Sequence, residues 1–489
     1  MKVLSISAIL GALWRAKSIA ACCGLLMLAA CASDPKSADL SALYERSAQY
    51  HLPDRNPVIV IPGILGSRLV DDVSGRVVWG AFSGTYADPR SRSDAQLIAL
   101  PIREGLRGEG SGDTVKSDGV LETVKVRVLG VPVAIRAYIG ILSTLGVGGY
   151  RDESLGLNGL DYGDDHFTCF QFDYDWRLDN AENAARLADF IDARRAYVRA
   201  QYKARYGIDK PDIKFDIVAH SMGGLVTRYF LRYGNAPLPV DGSTPEITWA
   251  GLDDVERVIL VGTPNGGSVE ALEQLVDGYD IGRPVLPHYP AAILGTFPSV
   301  YQLLSRPRQH RVHYDDDAES PVENLYDIDL WEKYGWSLAS RSDEMMDFLE
   351  DALPDVPTPE ARHEIAVAYL AAALKRAEAF HKALDAPAER PAGLDLYLVA
   401  GDAEPTPYRL AINRETGRAR TSSYGPGDGR VPRWSALLDE RRDDNWQPTV
   451  RSPIEFDGVT FLAASHIGLT SDPSFADNAL YLLLEDPRH

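Results

Sequence analysis

Between Phe215 and Tyr229 the chain reads Phe-Asp-Ile-Val-Ala-His-Ser-Met-Gly-Gly-Leu-Val-Thr-Arg-Tyr, and no other stretch limits the fold so tightly. The apolar run ending at Ala219 predicts a buried strand and Leu225 to Tyr233 predicts a helix, so only a few residues remain to turn the chain. A turn that short puts Ser221 at its apex with a strained backbone. Ala219, Gly223 and Gly224 are small enough to let strand and helix pass at close range. The Ser221 hydroxyl is then pushed out of the sheet, while the helix start behind it offers free N–H groups and the positive end of a dipole.

A strand-turn-helix carrying Ala-x-Ser-x-Gly is a form of the nucleophile elbow of α/β-hydrolases. Upstream, Val58–Ile61 is a short apolar strand followed at once by Pro62-Gly63-Ile64-Leu65-Gly66-Ser67. In folds of this kind the loop after the early strand supplies one backbone N–H to an oxyanion hole, and the residue after the nucleophile supplies the other. The expected donors are Ile64, with Leu65 as the fallback, and Met222. Val255–Val261 predicts a further buried strand leading into Gly-Thr-Pro-Asn-Gly-Gly-Ser. Alternation of strands with long helices predicts an α/β fold, a mostly parallel central sheet with helices on both faces. From Tyr279 to Ala392 the strand signal disappears, and Pro359–Leu384 carries apolar residues at helical spacing, which predicts a largely helical cap or lid inserted into the core.

Three segments in order, Pro57–Leu69, Val78-Trp79-Gly80 and Tyr174-Asp175-Trp176-Arg177-Leu178, resemble the lecithin:cholesterol acyltransferase family. The resemblance runs from about residue 57 to about residue 470 with large interruptions. It implies a serine-dependent acyl hydrolase or O-acyltransferase acting on lipid esters, and no cofactor or metal. It also places Trp79 in or near a lid over the site, with Leu65 beside the acyl pocket. Family members from eukaryotes tie that lid with a disulfide, whereas this chain offers no cysteine pair there.

A serine nucleophile needs a base, and the base needs an acid that holds its tautomer and stabilises its charge. In α/β-hydrolases these follow the serine in the order acid, then histidine, each on a loop after a late strand. His466 fits, because Val459–Leu462 predicts a final strand, Ala463–Gly468 the loop beyond it, and Phe475–Leu484 a closing helix. Two aspartates compete for the acid. Asp402 ends the strand predicted over Leu394–Gly401, as the generic order requires, while Gly427-Asp428-Gly429-Arg430-Val431 resembles the family's acid loop and implies Asp428.

The first thirty residues carry basic Lys2, Arg15 and Lys17, an apolar run from Ser18 to Ala30, and then Cys31, the pattern of an export signal. Leu28-Ala29-Ala30-Cys31 resembles the lipobox of bacterial lipoproteins, which implies lipid on Cys31 and a membrane partner reached through that anchor at the bacterial cell envelope. Cys22 and Cys23 leave with the signal, so Cys169 remains as a lone core thiol. The formal charge of −20 argues against nucleic acid as a partner. The expected organisation is signal 1–30, tether 31–56, core 57–278 with an insertion at about 81–165, cap 279–392 and core 393–489. The expected function is acyl hydrolysis or transfer through an acyl-enzyme, hydrolysis slightly favoured. The competing reading is an inactive hydrolase-fold protein that binds lipid or acts as a chaperone in the envelope.

Overall fold

The computed structural model describes residues 38–488 apart from 53, 82–85, 107–111, 122, 129–130, 137, 210–211, 281–286 and 443–445. The expected signal, Cys31 and part of the expected tether lie outside the described residues. The fold below is that of the unit from Tyr44 onward.

Six apolar segments build one sheet: β1 (Val58–Ile61), β2 (Cys169–Gln171), β3 (Phe215–His220), β4 (Val255–Val261), β5 (Asp395–Gly401) and β6 (Gly458–Leu462). Their order is β6-β5-β4-β3-β1-β2 and every neighbouring pair is parallel. A parallel sheet is covered on both faces, which is why β1, β3 and β4 read as almost continuous apolar runs. Side chains still alternate along them. Ile59, Ile61, Ile217, Val258 and Leu260 enter one core, and Val58, Val60, Val218, Ile259 and Val261 enter the other.

The helices α1 (Asn180–Tyr206), α2 (Gly223–Tyr233), α3 (Val269–Asp277) and α4 (Pro359–Asp385) pack into the first core, through residues such as Leu187, Leu225, Leu272 and Leu370. The second core is closed by α5 (Pro473–Leu484) and the shorter helix Ile139–Val147, through Phe475, Leu483 and Leu142. Local chemistry sets the ends of these helices. The Asp179 carboxylate accepts from the Ala181 and Glu182 N–H groups at the start of α1, and Gly207, at φ 65°, ends it in the left-handed conformation. Thr358-Pro359 and Asp472-Pro473 combine an N-cap oxygen with a proline whose missing N–H costs nothing in a first turn.

Two excursions leave the central sheet. The first joins Ser67–Asp71 and Val77–Trp79, which precede the insertion, to Val115–Val120 within it in a three-stranded sheet, and a hairpin of Thr123–Val128 and Val131–Arg136 follows. The helix of this region begins only at Ile139, because the β-branched residues at 131, 133 and 135 belong to a paired strand. The second excursion is a four-stranded sheet of Val312–Tyr314, Asp317–Pro321, Glu404–Ile412 and Ala419–Gly427. It overturns the expectation that strands are missing from 279–392. Val312 pairs with Leu410, so this three-residue strand is specified by a distant partner and leaves no local pattern. Among the described residues, no helix is long and apolar enough to cross a membrane.

Candidate active site

The site lies where β1, β3, β4, β5 and β6 end. Ser221 follows β3 directly, its backbone at φ 54°, a conformation that is costly for a residue with a side chain. Its N–H donates to the Val261 carbonyl at 2.8 Å, which ties the strained residue to the end of β4. Three glycines make room. A Cβ on Gly63 would fall 2.6 Å from the Ser221 Cβ, one on Gly223 would strike the Pro62 carbonyl oxygen, and one on Gly224 would strike the Thr263 side chain. Strand, turn and helix are thus in contact through bare backbone, and Ser221 is held at 7 % exposure between them.

His466 stands on the loop after β6, with its Nε2 3.0 Å from the Ser221 Oγ and its Nδ1 2.8 Å from the Asp428 Oδ2. An ionised carboxylate can only accept, so Nδ1 carries the proton and donates it, and the Ser221 hydroxyl donates to Nε2. The His466 N–H also donates to the Asp428 carbonyl at 2.8 Å, which fixes the backbone as well as the ring. Asp428 is buried, and its Oδ1 accepts from the N–H groups of Val431 at 2.7 Å and Arg430 at 2.9 Å. Burial works against its charge, but His466 and these two amides outweigh burial and hold the carboxyl below the usual carboxylate range. The competing Asp402 points elsewhere, to an ion pair with Arg433 at 2.7 Å. The two assignments share one place in the sheet. A Cβ on Gly401, the last residue of β5, would sit 2.6 Å from the Asp428 Cβ, so Asp428 occupies the end of β5 although the hairpin Glu404–Gly427 intervenes in sequence.

The turn after β1 is closed by a hydrogen bond from the Gly66 N–H to the Gly63 carbonyl at 3.0 Å, with Ile64 and Leu65 at its centre. Leu65 has φ 64°, a value that this position of a type II turn demands and that glycine would supply more cheaply. Neither the Ile64 nor the Met222 N–H has a protein acceptor among the described residues. Side chains from far along the chain staple the turn. The Tyr174 hydroxyl donates to the Pro62 carbonyl at 2.9 Å, the Trp79 indole N–H to Leu65 at 2.8 Å, and the Trp176 indole N–H to Ser67 at 3.1 Å. Trp79, expected in or near a lid, is buried against the edges of Trp176 and Tyr289 and supports the turn from within the core. Asp175 and Arg177 form a buried two-pronged ion pair, and the same guanidinium donates to the Ile98 carbonyl, joining this segment to the insertion.

Two further residues meet at the site without having been singled out from the sequence, Tyr138 and His220. The Tyr138 hydroxyl lies 2.8 Å from the Gly63 N and 3.0 Å from His220 Nδ1, and His220 Nε2 lies 3.1 Å from the His466 carbonyl oxygen. His220 sits inside the elbow motif, so its position was a usable signal, whereas Tyr138 is one tyrosine within a long insertion and carries none. Burial first, and then the neighbouring His466, push His220 down to about 3, so it stays neutral beside the His466 ring. Cys169 is buried and its thiol is pushed up by burial, as for an inert core residue. Among the described residues, no group of His, Cys, Asp and Glu side chains is arranged to hold a metal ion.

The lecithin:cholesterol acyltransferase family profile matches residues 157–421, more than half of the chain, including Tyr174–Arg177 and Ser221 and ending just before Asp428. No curated protein matches the sequence. Among solved structures, a chain of the Tle4-Tli4 complex superimposes with a TM-score of 0.52 at 15 % identity, covering 88 % of this chain and 98 % of that one. EstA from Clostridium botulinum is matched at 12 % identity over 89 % of this chain and 88 % of its own, with a TM-score of 0.28.

Proposed function

Because the chain belongs to the lecithin:cholesterol acyltransferase family, within the α/β-hydrolase superfamily, we propose that this acyl-transferring lipid enzyme works through Ser221 as nucleophile, His466 as base and Asp428 as its acid. The observation that carries the reading is the unbroken run of hydrogen bonds from the Ser221 hydroxyl through the His466 ring to the Asp428 carboxylate. As Ser221 attacks an ester carbonyl, its proton passes to His466 Nε2, and the imidazolium is stabilised by Asp428. The oxyanion is received by the Ile64 and Met222 N–H groups, whose lack of protein acceptors suits them to it. Collapse expels the alcohol, which takes the proton from His466, and leaves the acyl group on Ser221. His466 then deprotonates either water, giving a free fatty acid, or an acceptor alcohol, giving a new ester.

We place hydrolysis slightly ahead of transfer, on the Ala-His-Ser-Met-Gly-Gly form of the elbow, which is closer to bacterial lipases. The substrate class is a phospholipid or acylglycerol. Incubation with radiolabelled phosphatidylcholine and an alcohol acceptor separates the two outcomes. Labelled free fatty acid in excess of labelled new ester supports hydrolysis, new ester in excess reverses the ranking, and neither product from folded protein removes the reading. Lipid on Cys31, and attachment to the cell envelope through it, complete the proposal. Replacing Cys31 with serine is expected to release the protein from the membrane fraction, and undiminished membrane association would argue against the anchor.

A further inference from the structure

The contacts of Tyr138 and His220 form a second hydrogen-bonded line through the site, separate from the one that ends on Asp428. Its direction follows from the chemistry of its ends. The Gly63 N–H can only donate, so the Tyr138 oxygen accepts there, at 2.8 Å. The one phenolic proton is then left for His220 Nδ1 at 3.0 Å, and the His220 ring carries its own proton on Nε2. That proton goes to the His466 carbonyl oxygen at 3.1 Å, which can only accept. The donors all point the same way, from the turn after β1 to the loop after β6, and bonds aligned in this manner strengthen one another.

We propose that Tyr138 and His220 are positioning residues, which set the turn that carries the oxyanion donors at a fixed distance from the loop that carries His466. The inference rests on the acyl-transfer reading above and deepens it. Two ends of one active site reach it from opposite ends of the chain, and no strand pairing joins β1 to β6, which are separated by β3, β4 and β5. The sheet alone therefore leaves their spacing to the accumulated twist of several strands, whereas this line of three hydrogen bonds spans the gap directly. Both residues are in place to act as rigid spacers, since Tyr138 is 3 % and His220 1 % exposed. The clamp on the turn is two-sided, because a Cβ on Gly66 would come within 2.8 Å of the same Tyr138 hydroxyl. It also accounts for the choice of donors. With the Gly63 N–H committed to Tyr138, the amides left on the turn for an oxyanion are those of Ile64 and Leu65, opposite that of Met222 on the elbow.

The test has an arm that does not depend on turnover. In protein with nitrogen-15 in its histidine rings, His220 is expected to appear at neutral pH as the neutral tautomer protonated on Nε2. In Tyr138→Phe, which removes only the hydroxyl, that preference is expected to weaken. In steady-state hydrolysis of a soluble short-chain ester, Tyr138→Phe is expected to lower kcat about 10- to 100-fold with KM within about twofold, the signature of a displaced reacting group. His220→Gln keeps an N–H for the His466 carbonyl and is expected to lose less activity than His220→Ala. This pair covers the case in which Tyr138→Phe fails to fold. A His220 proton on Nδ1 in the wild-type protein, or Tyr138→Phe turning over within twofold of wild type, overturns the proposal. Were Ser221→Ala as active as wild type, the acyl-transfer reading would fall instead, and the ring-proton result would still say whether the line is aligned.

Discussion

The elbow and the turn after β1 face each other across Gly63 and Ser221, yet they are held in opposite ways. The elbow is kept in shape by its own residues: a serine at positive φ, and glycines where any Cβ would collide with neighbouring strands and loops. The turn, with Leu65 in an unfavourable conformation at its centre, is kept in shape by the hydroxyls and indoles of Tyr138, Tyr174, Trp79 and Trp176. Strain at a functional site persists only when the surroundings over-determine it. Here one strained residue is fixed by close backbone packing and a single backbone hydrogen bond to β4, the other chiefly by side-chain hydrogen bonds. Steric exclusion fails abruptly and hydrogen bonds fail one at a time, so the two regions should respond differently to mutation.

The largest effect is expected where a distant loop delivers the proposed catalytic acid to the elbow. Asp428→Asn is expected to lower kcat by about 10⁴-fold, because the amide cannot hold the His466 tautomer, while Asp402→Asn, which only breaks an ion pair with Arg433, stays within about twofold. A larger loss at Asp402 would reverse the acid assignment. Next comes the elbow itself. Gly224→Ala is expected to cost about 3 kcal/mol or more in a urea titration, since the new methyl meets the buried Thr263 side chain. A loss below about 1 kcal/mol would mean that strand and helix can separate cheaply. On the turn, Trp79→Phe removes one donor from the Leu65 carbonyl and is expected to cost about 1 kcal/mol, with kcat falling less than tenfold. A collapse of activity there would erase the contrast between the two regions.

A separate effect, read without any substitution, is a pH dependence of stability. His220 is held near 3 in the folded protein against about 6.5 when unfolded, so between these values the unfolded chain binds more protons. Stability is therefore complete above about pH 6.5 and declines as the pH falls, by up to about 1.4 kcal/mol per pH unit for this residue. His51 and His166, each lowered to about 4 chiefly by burial, add in the same direction. Melting temperatures measured from pH 7.5 to 4.5 check the sign, and a midpoint that rises on acidification would contradict it.

This contrast also explains what could be read in the sequence. The strands β1, β3 and β4, the elbow, and the helices α2 and α4 are specified by local runs and local spacing, and the sequence pattern predicts each of them within a few residues. The sequence points to Ser221, His466 and Asp428, and the structure brings their side chains together. The acid loop was hard to choose because the hairpin Glu404–Gly427 separates Asp428 from the strand end above which it lies. What no pattern revealed was the stapling. A hydroxyl at Tyr138 meeting an amide at Gly63 depends on the path of the whole insertion, and Trp79, read as a lid residue, shows its role only once Leu65 is seen to need support.

The most direct test of the central claim is reaction of the folded protein with a fluorophosphonate, followed by mass mapping of the adduct. The account predicts a single adduct on Ser221, absent in Ser221→Ala and formed at least about a thousandfold more slowly in His466→Ala. Folded wild-type protein that stays unlabelled, or an adduct on any other residue, would contradict it.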